Sequence, residues 1–115
     1  MTQTNCLFCN IVAKETPADI VFESDDVVAF RDINPAGPTH ILVVPRRHIA
    51  SLQDLTPDDG PLLSAMFRAV NELAEGDRLT SGYRVVSNVG EDAGQSVRHL
   101  HLHLIGGRSM SWPPG

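Results

Sequence analysis

The chain has 115 residues, 42% hydrophobic and 20% charged, with a formal net charge of -5; this is the composition of one globular domain over residues 1–115 and excludes fibrous and disordered classes. No basic cluster exceeds the pair Arg46 and Arg47, which argues against long nucleic acid as a partner but leaves room for a small anion held by local amides and imidazoles. Residues 1–12 lack a basic region followed by an apolar run, and no segment approaches the roughly 20 apolar residues of a membrane helix, so a soluble, cytoplasmic protein is expected.

In chain order, Leu7, Phe8, Ile11 and Val12 at helical spacing predict a short helix over residues 6–14, stopped by Pro17. Residues 19–23 and 27–31 are β-branched or aromatic runs around a turn at Ser24, Asp25 and Asp26, which predicts a hairpin. A Pro- and Gly-rich loop over residues 34–38 leads to a third strand at 40–45, apolar on both faces and therefore central. Thr56, Pro57, Asp58 and Asp59 read as a capped helix start, and Leu62, Leu63, Met66, Phe67, Val70, Leu73 and Ala74 continue a long helix that closes near Gly76. Strands at 83–88 and 97–105 follow, divided by a loop over 89–96, and the tail from 106 is irregular. Five strands with one long and one short helix make an α+β domain, its mainly antiparallel sheet covered on one face by the long helix.

The most informative segment is His99-Leu100-His101-Leu102-His103-Leu104-Ile105. Strict alternation puts three imidazoles on one side of an extended segment, about 7 Å apart, and the leucines on the other. Such a trio is an incidental feature of a solvated strand, a zinc-binding set, or a catalytic set. The preceding Gly94, Gln95 and Ser96 favour catalysis, because short polar loops of this kind cradle phosphate oxygens. A neutral imidazole is both nucleophile and leaving group at pH 7, which suits a two-step transfer through phosphohistidine. Separately, Cys6 and Cys9 form a CxxC pair, which reads as metal or redox chemistry more readily than as a structural disulfide.

The His-Leu-His-Leu-His-Leu-Ile pattern resembles the signature of the histidine triad (HIT) family, and Gly94, Gln95 and Ser96 stand where that family places its phosphate loop. Phe30-Arg31-Asp32-Ile33, Pro38-Thr39-His40, Val44-Pro45-Arg46-Arg47-His48-Ile49 and the ending from Gly106 to Gly115 are similar to the Hint branch. The resemblance implies His101 as nucleophile, with its second ring nitrogen held by a backbone carbonyl of the same strand. It places His103 on a phosphate oxygen, His40 in the supporting imidazole network, and His99 among the catalytic histidines. Asn88, Gln95 and Ser96 would bind the phosphate and leaving group, with Gly94 in the same substrate-binding set letting the backbone come close, and Asp32 would bind the ribose hydroxyls. Leu7, Phe8, Ile11, Phe30, Ile33 and Leu42 would line a purine slot, although each also reads as ordinary core.

The implied reaction is hydrolysis of purine nucleoside phosphoramidates or aminoacyl adenylates to AMP, with no cofactor required for catalysis. Rival readings are a dinucleoside polyphosphate hydrolase, a nucleotidyltransferase, against which His103 speaks, and a nucleotide-binding adaptor with little turnover. Cys6, Cys9, His48 and His99 could complete a structural zinc site like that of bacterial relatives; two free thiols are the alternative. Relatives of this branch are homodimers, and the same arrangement is expected here, with Trp112 near the partner's site.

Overall fold

The computed structural model describes residues 5–115, so residues 1–4 of the N-terminal stretch discussed above lie outside the described residues. A short helix α1 (Leu7–Val12) precedes a hairpin of β1 (Ile20–Glu23) and β2 (Val27–Arg31), then β3 (Thr39–Pro45), the long helix α2 (Gly60–Gly76), β4 (Tyr83–Val86) and β5 (Leu102–Gly106). The strands form one five-stranded sheet in the order β1-β2-β3-β5-β4, and every neighbouring pair is antiparallel. No helix among the described residues is long and apolar enough to cross a membrane.

Alternation along the strands divides the core into two layers. Ile41 and Val43 of β3, Val27 and Ala29 of β2, and Leu100, Leu102 and Leu104 pack with Met66, Ala69, Val70 and Ala74 of α2. Val28, Phe30, Leu42 and Val44 point the other way and pack with Phe8 and Ile11 of α1. β3 is buried along its whole length because it lies between both layers. The stripe of α2 that meets the sheet uses small Ala69 and Ala74, which allow close approach, while Phe67 is left 47% exposed.

Element ends differ from expectation where backbone partners decide them. β5 starts at Leu102 rather than at residue 97: the register that sets Val43 against Leu102 would next oppose Pro45 to Leu100, and proline has no N–H for the ladder. Leu100 N instead donates to Ile49 O at 2.6 Å. The outward and inward alternation nevertheless continues through this segment, with Leu100 in the α2 core. Before α2, Thr56 and Asp59 form a capping box, but residues Pro57–Asp59 are a 3-10 turn that feeds the helix.

The far end of α2 is tied to the sheet by Asp77. Its carboxylate accepts from Arg31 Nη1 and Nη2 at 2.9 and 3.0 Å and from the Thr39 hydroxyl at 2.8 Å. Gly106 permits the next turn to close, since a Cβ there would lie 2.8 Å from Leu79 Cδ1. The Arg31 guanidinium holds the Asp77 carboxyl below its usual range, so the clasp stabilises at neutral pH and is lost as the pH falls through that lowered value. Asp77→Ala is expected to lower the urea unfolding free energy by about 1–2 kcal/mol at pH 7, with the partial exposure of Arg31 limiting the effect. The difference from wild type should begin to narrow near the ordinary Asp value of about 4 and close only as the pH falls through the lowered value of the folded state.

Candidate active site

β3 and β5 bring the histidines together on the α1 side of the sheet. With Leu42 opposite His103 and His40 opposite Ile105, His40 and His103 are diagonal neighbours on one face. Their rings meet, His40 Nε2 lying 2.9 Å from His103 Nδ1. The Ala36 N–H donates to His40 Nδ1 at 2.9 Å, so in the neutral ring the proton sits on His40 Nε2 and is donated to His103. His103 therefore carries its own proton on Nε2, a buried atom with no partner among the described residues. The result is a neutral donor aimed into the site. Burial, and then the nearby His101 and His40, push the His103 pKa down to about 4, so this donor stays neutral at physiological pH. Burial lowers His40 as well, against the pull of Asp32, whose Oδ2 is 3.5 Å from His40 Nε2.

Asp32, His40 and His103 lie close enough to share a cation. The Ala36 amide argues against it, because it keeps the proton, not the lone pair, on His40 Nε2.

His101 is 6% exposed and lies between Phe8, which meets it edge-on at 5.0 Å, and His103 at 4.9 Å between ring centroids. Its Nδ1 is 2.6 Å from the carbonyl oxygen of His99. A carbonyl only accepts, so Nδ1 carries the proton and Nε2 the lone pair.

His99 was assigned to both the catalytic and the metal sets, and the structure separates the two roles. Its ring is fully buried and faces away from the phosphate site: Nε2 donates to Pro45 O at 2.8 Å, and Nδ1 points at Cys6 Sγ and Cys9 Sγ at 3.3 and 3.4 Å. No ring nitrogen is left for proton transfer to substrate, so the catalytic assignment of the His99 side chain is corrected; it reaches His101 only through its backbone carbonyl.

His48 Nδ1 is 3.2 Å from Cys9 Sγ, and the four ligand atoms of Cys6, Cys9, His48 and His99 lie within 4.8 Å of one another. A tetrahedral zinc with ordinary bond lengths separates sulfur from nitrogen by roughly 3.5 Å. The donor set fits that ion, and the Pro45 carbonyl fixes the tautomer that aims the His99 lone pair at the sulfurs. Burial and the adjacent Cys6 raise the Cys9 thiol to about 11, so a cation is what would keep the Cys9 sulfur as a thiolate.

The loop before the triad is built differently from expectation. Gly90 and Gly94 adopt left-handed φ values of 81° and 80° around a 3-10 turn at Glu91–Ala93. The N–H groups of Gly94 and Gln95 close that turn on Glu91 O and Gly90 O. The Gln95 amide accepts from Gly90 N and donates to Ala50 O and Val97 O at 2.7 and 3.1 Å. Gly94 thus shapes the loop through its backbone conformation, and the Gln95 amide is engaged as a brace within it instead of standing as an open donor. Ser96 is exposed, with no hydrogen bond among the described residues, and Asn88 is half-buried two residues beyond β4.

Of the six apolar residues expected to line a purine slot, Phe8, Ile11, Phe30 and Leu42 are buried in the α1 core, whereas Leu7 and Ile33 are 47% and 89% exposed. Trp112 is 82% exposed and lies next to Ser111, whose carbonyl accepts from Arg84 Nη2 of β4. The tail therefore runs beside β4 at the sheet edge. Sequence reasoning missed the Ala36 amide and the Pro45 and Ala50 carbonyls, because backbone groups carry no residue-type signal.

The comparisons agree with this geometry. The family model described as "Scavenger mRNA decapping enzyme C-term binding" matches residues 5–112. A HIT-like protein of Synechococcus elongatus is 49% identical, covering 95% of this chain and 96% of its own length. The protein HitA of Neisseria gonorrhoeae is 46% identical over 89% and 95% of the two chains. A HIT family hydrolase of Legionella pneumophila superposes with a TM-score of 0.94 at 50% identity, covering 96% of this chain and all of its own, 100%. A histidine triad protein of Clostridium difficile gives 0.90 at 39% identity, over 96% and 97% of the two chains. The paired histidines, the fold and the extent of these matches agree: the chain belongs to the histidine triad (HIT) family.

Proposed function

We propose that the protein is a Hint-like hydrolase of purine nucleoside phosphoramidates or aminoacyl adenylates. The observation that carries this reading is the 2.6 Å contact between His101 Nδ1 and the His99 carbonyl, which leaves Nε2 as a fixed lone pair beside an unpartnered N–H donor on His103.

Nε2 of His101 attacks phosphorus; the P–N or mixed-anhydride P–O bond breaks, an amine leaving group taking its proton from water and an aminoacyl group departing as its carboxylate. Water then attacks the nucleotidyl-His101 intermediate, releasing AMP and restoring the imidazole. His103 Nε2–H donates to a non-bridging oxygen, where negative charge grows in the transition state. Asn88 and the exposed Ser96 would take the remaining phosphate oxygens and the leaving group, and Asp32 the ribose hydroxyls. Ile33 and Leu7 offer exposed apolar surface for the purine, backed by the buried Phe8, Phe30 and Leu42. No metal takes part in these steps. Zinc held by Cys6, Cys9, His48 and His99 would supply folding energy by tying α1 to the segment after β3. A reducing, cytoplasmic setting suits that thiol pair.

The same reading includes a two-fold homodimer. Phe67 of α2 and Tyr83 and Val85 of β4 are 47%, 41% and 36% exposed, and β4 is an unpaired sheet edge. A symmetry mate would cover both. Trp112 would then serve the partner's leaving-group site.

His101→Ala should reduce turnover of a fluorogenic adenosine phosphoramidate by at least about a thousandfold while AMP affinity stays within about twofold. Retention of a tenth of the wild-type rate would contradict the mechanism. Light scattering at micromolar concentration should give the mass of two chains, and a Val85→Lys variant should shift it to one. A single-chain mass for the unaltered protein would remove the dimer and with it the role of Trp112.

A further inference from the structure

We infer that the Cys6, Cys9 and His48 cluster positions the nucleophile, by holding the His99–Leu100 peptide whose carbonyl grips His101 Nδ1. The inference rests on the reading of His101 as the nucleophile.

That peptide lies just outside the β ladder, which begins at Leu102. Its two polar groups are nevertheless both engaged at 2.6 Å: the carbonyl accepts from His101 Nδ1, and the N–H of Leu100 donates to Ile49 O. Two routes run from this peptide to the same sulfur. On one side the His99 ring is pinned at both ends, by Pro45 O on Nε2 and by the two sulfurs on Nδ1. With both ring nitrogens held, the side-chain torsions of His99 are fixed, and so is the backbone from which the ring projects. On the other side Ile49 directly follows His48, whose Nδ1 contacts Cys9 Sγ at 3.2 Å and whose ring meets that of His99 edge-on at 5.0 Å. Cys9 is therefore the common anchor of the ring and of the strand-end segment that grip one peptide plane. The anchor acts whether the sulfurs meet the imidazoles through an ion or directly.

Cys9 and His48 meet each other and the His99 ring rather than His101 or His103, and His48 lines a hollow with Leu7 and Ser96. Both are positioning residues, acting through His99 on His101. A purely structural cluster would set the melting temperature alone. A positioning cluster also sets the tautomer of His101 and the rate of the chemical step, because an imidazole freed from the carbonyl places its proton on either nitrogen and only one form attacks.

The test compares wild type, His48→Ala and Cys9→Ala as full chains, each with zinc content measured. Long-range proton–nitrogen NMR at neutral pH reads the His101 tautomer, and steady-state kinetics on an adenosine phosphoramidate reads kcat and KM. Wild type should show His101 as the pure Nδ1–H form. In the variants that signature should become mixed, and kcat should fall roughly tenfold, with KM and AMP affinity within twofold. Loss of the signature together with kcat in either folded variant supports the proposal. Retention of both in the two variants overturns it, however far their melting temperatures drop. If Cys9→Ala fails to fold, His48→Ala decides alone, since His48 is exposed and outside both core layers. Absence of any turnover in wild type would defeat the functional reading instead, and the tautomer signature would then decide the positioning by itself.

Discussion

The hydrogen bond from His101 Nδ1 to the His99 carbonyl is the contact on which the chemistry depends. An imidazole has two nitrogens of similar basicity, and a nucleophile needs its lone pair at a known one. A backbone carbonyl settles this more firmly than a carboxylate, because it cannot take the proton. The second imidazole pair follows the same logic in reverse: the Ala36 amide fixes His40, His40 fixes His103, and His103 is left presenting N–H. Two main-chain groups thus set opposite tautomers on adjacent rings, one presenting a lone pair and one an N–H. Burial keeps His103 neutral.

The scaffold explains why these groups meet. The central strand β3 carries core side chains on both faces, so His40, like its neighbour Thr39, is a polar residue buried in a mainly apolar strand. It is tolerated because both its ring nitrogens are bonded. The irregular segment His48, Ile49 and Ala50 then acts as a junction: His48 meets Cys9, Ile49 O takes the Leu100 amide, and Ala50 O takes the Gln95 side chain. One short stretch outside any helix or strand therefore fixes the sulfur cluster, the peptide that holds His101 and the loop around Gln95 together.

Much of this was legible in the sequence. The period-two pattern of Val27 to Arg31 and the 3.6-residue pattern of α2 mark core faces directly, and the alternation from His99 to Ile105 separates imidazoles from leucines even where the ladder has stopped. Strand ends were less legible, since the start of β5 depends on Pro45 standing opposite Leu100, a fact of register that appears only after folding. Gln95 reads as a ligand from its residue type and is a loop brace in fact, because its partner Ala50 O is 45 positions away. His99 belongs by pattern to the triad and by ring contacts to the thiols. A period-two motif identifies which residues share a side, not which way each ring turns at its end.

The central claim is that a covalent nucleotidyl intermediate forms on Nε2 of His101. It is tested most directly by acid-quenching the protein within its first turnover on an adenosine phosphoramidate and mapping the adduct by mass spectrometry. The account predicts a single adenylyl group on the peptide carrying His101, accumulating before steady state and absent from His101→Ala. An adduct on His103 or another residue, or turnover with no adduct at quench times shorter than one catalytic cycle, would contradict it.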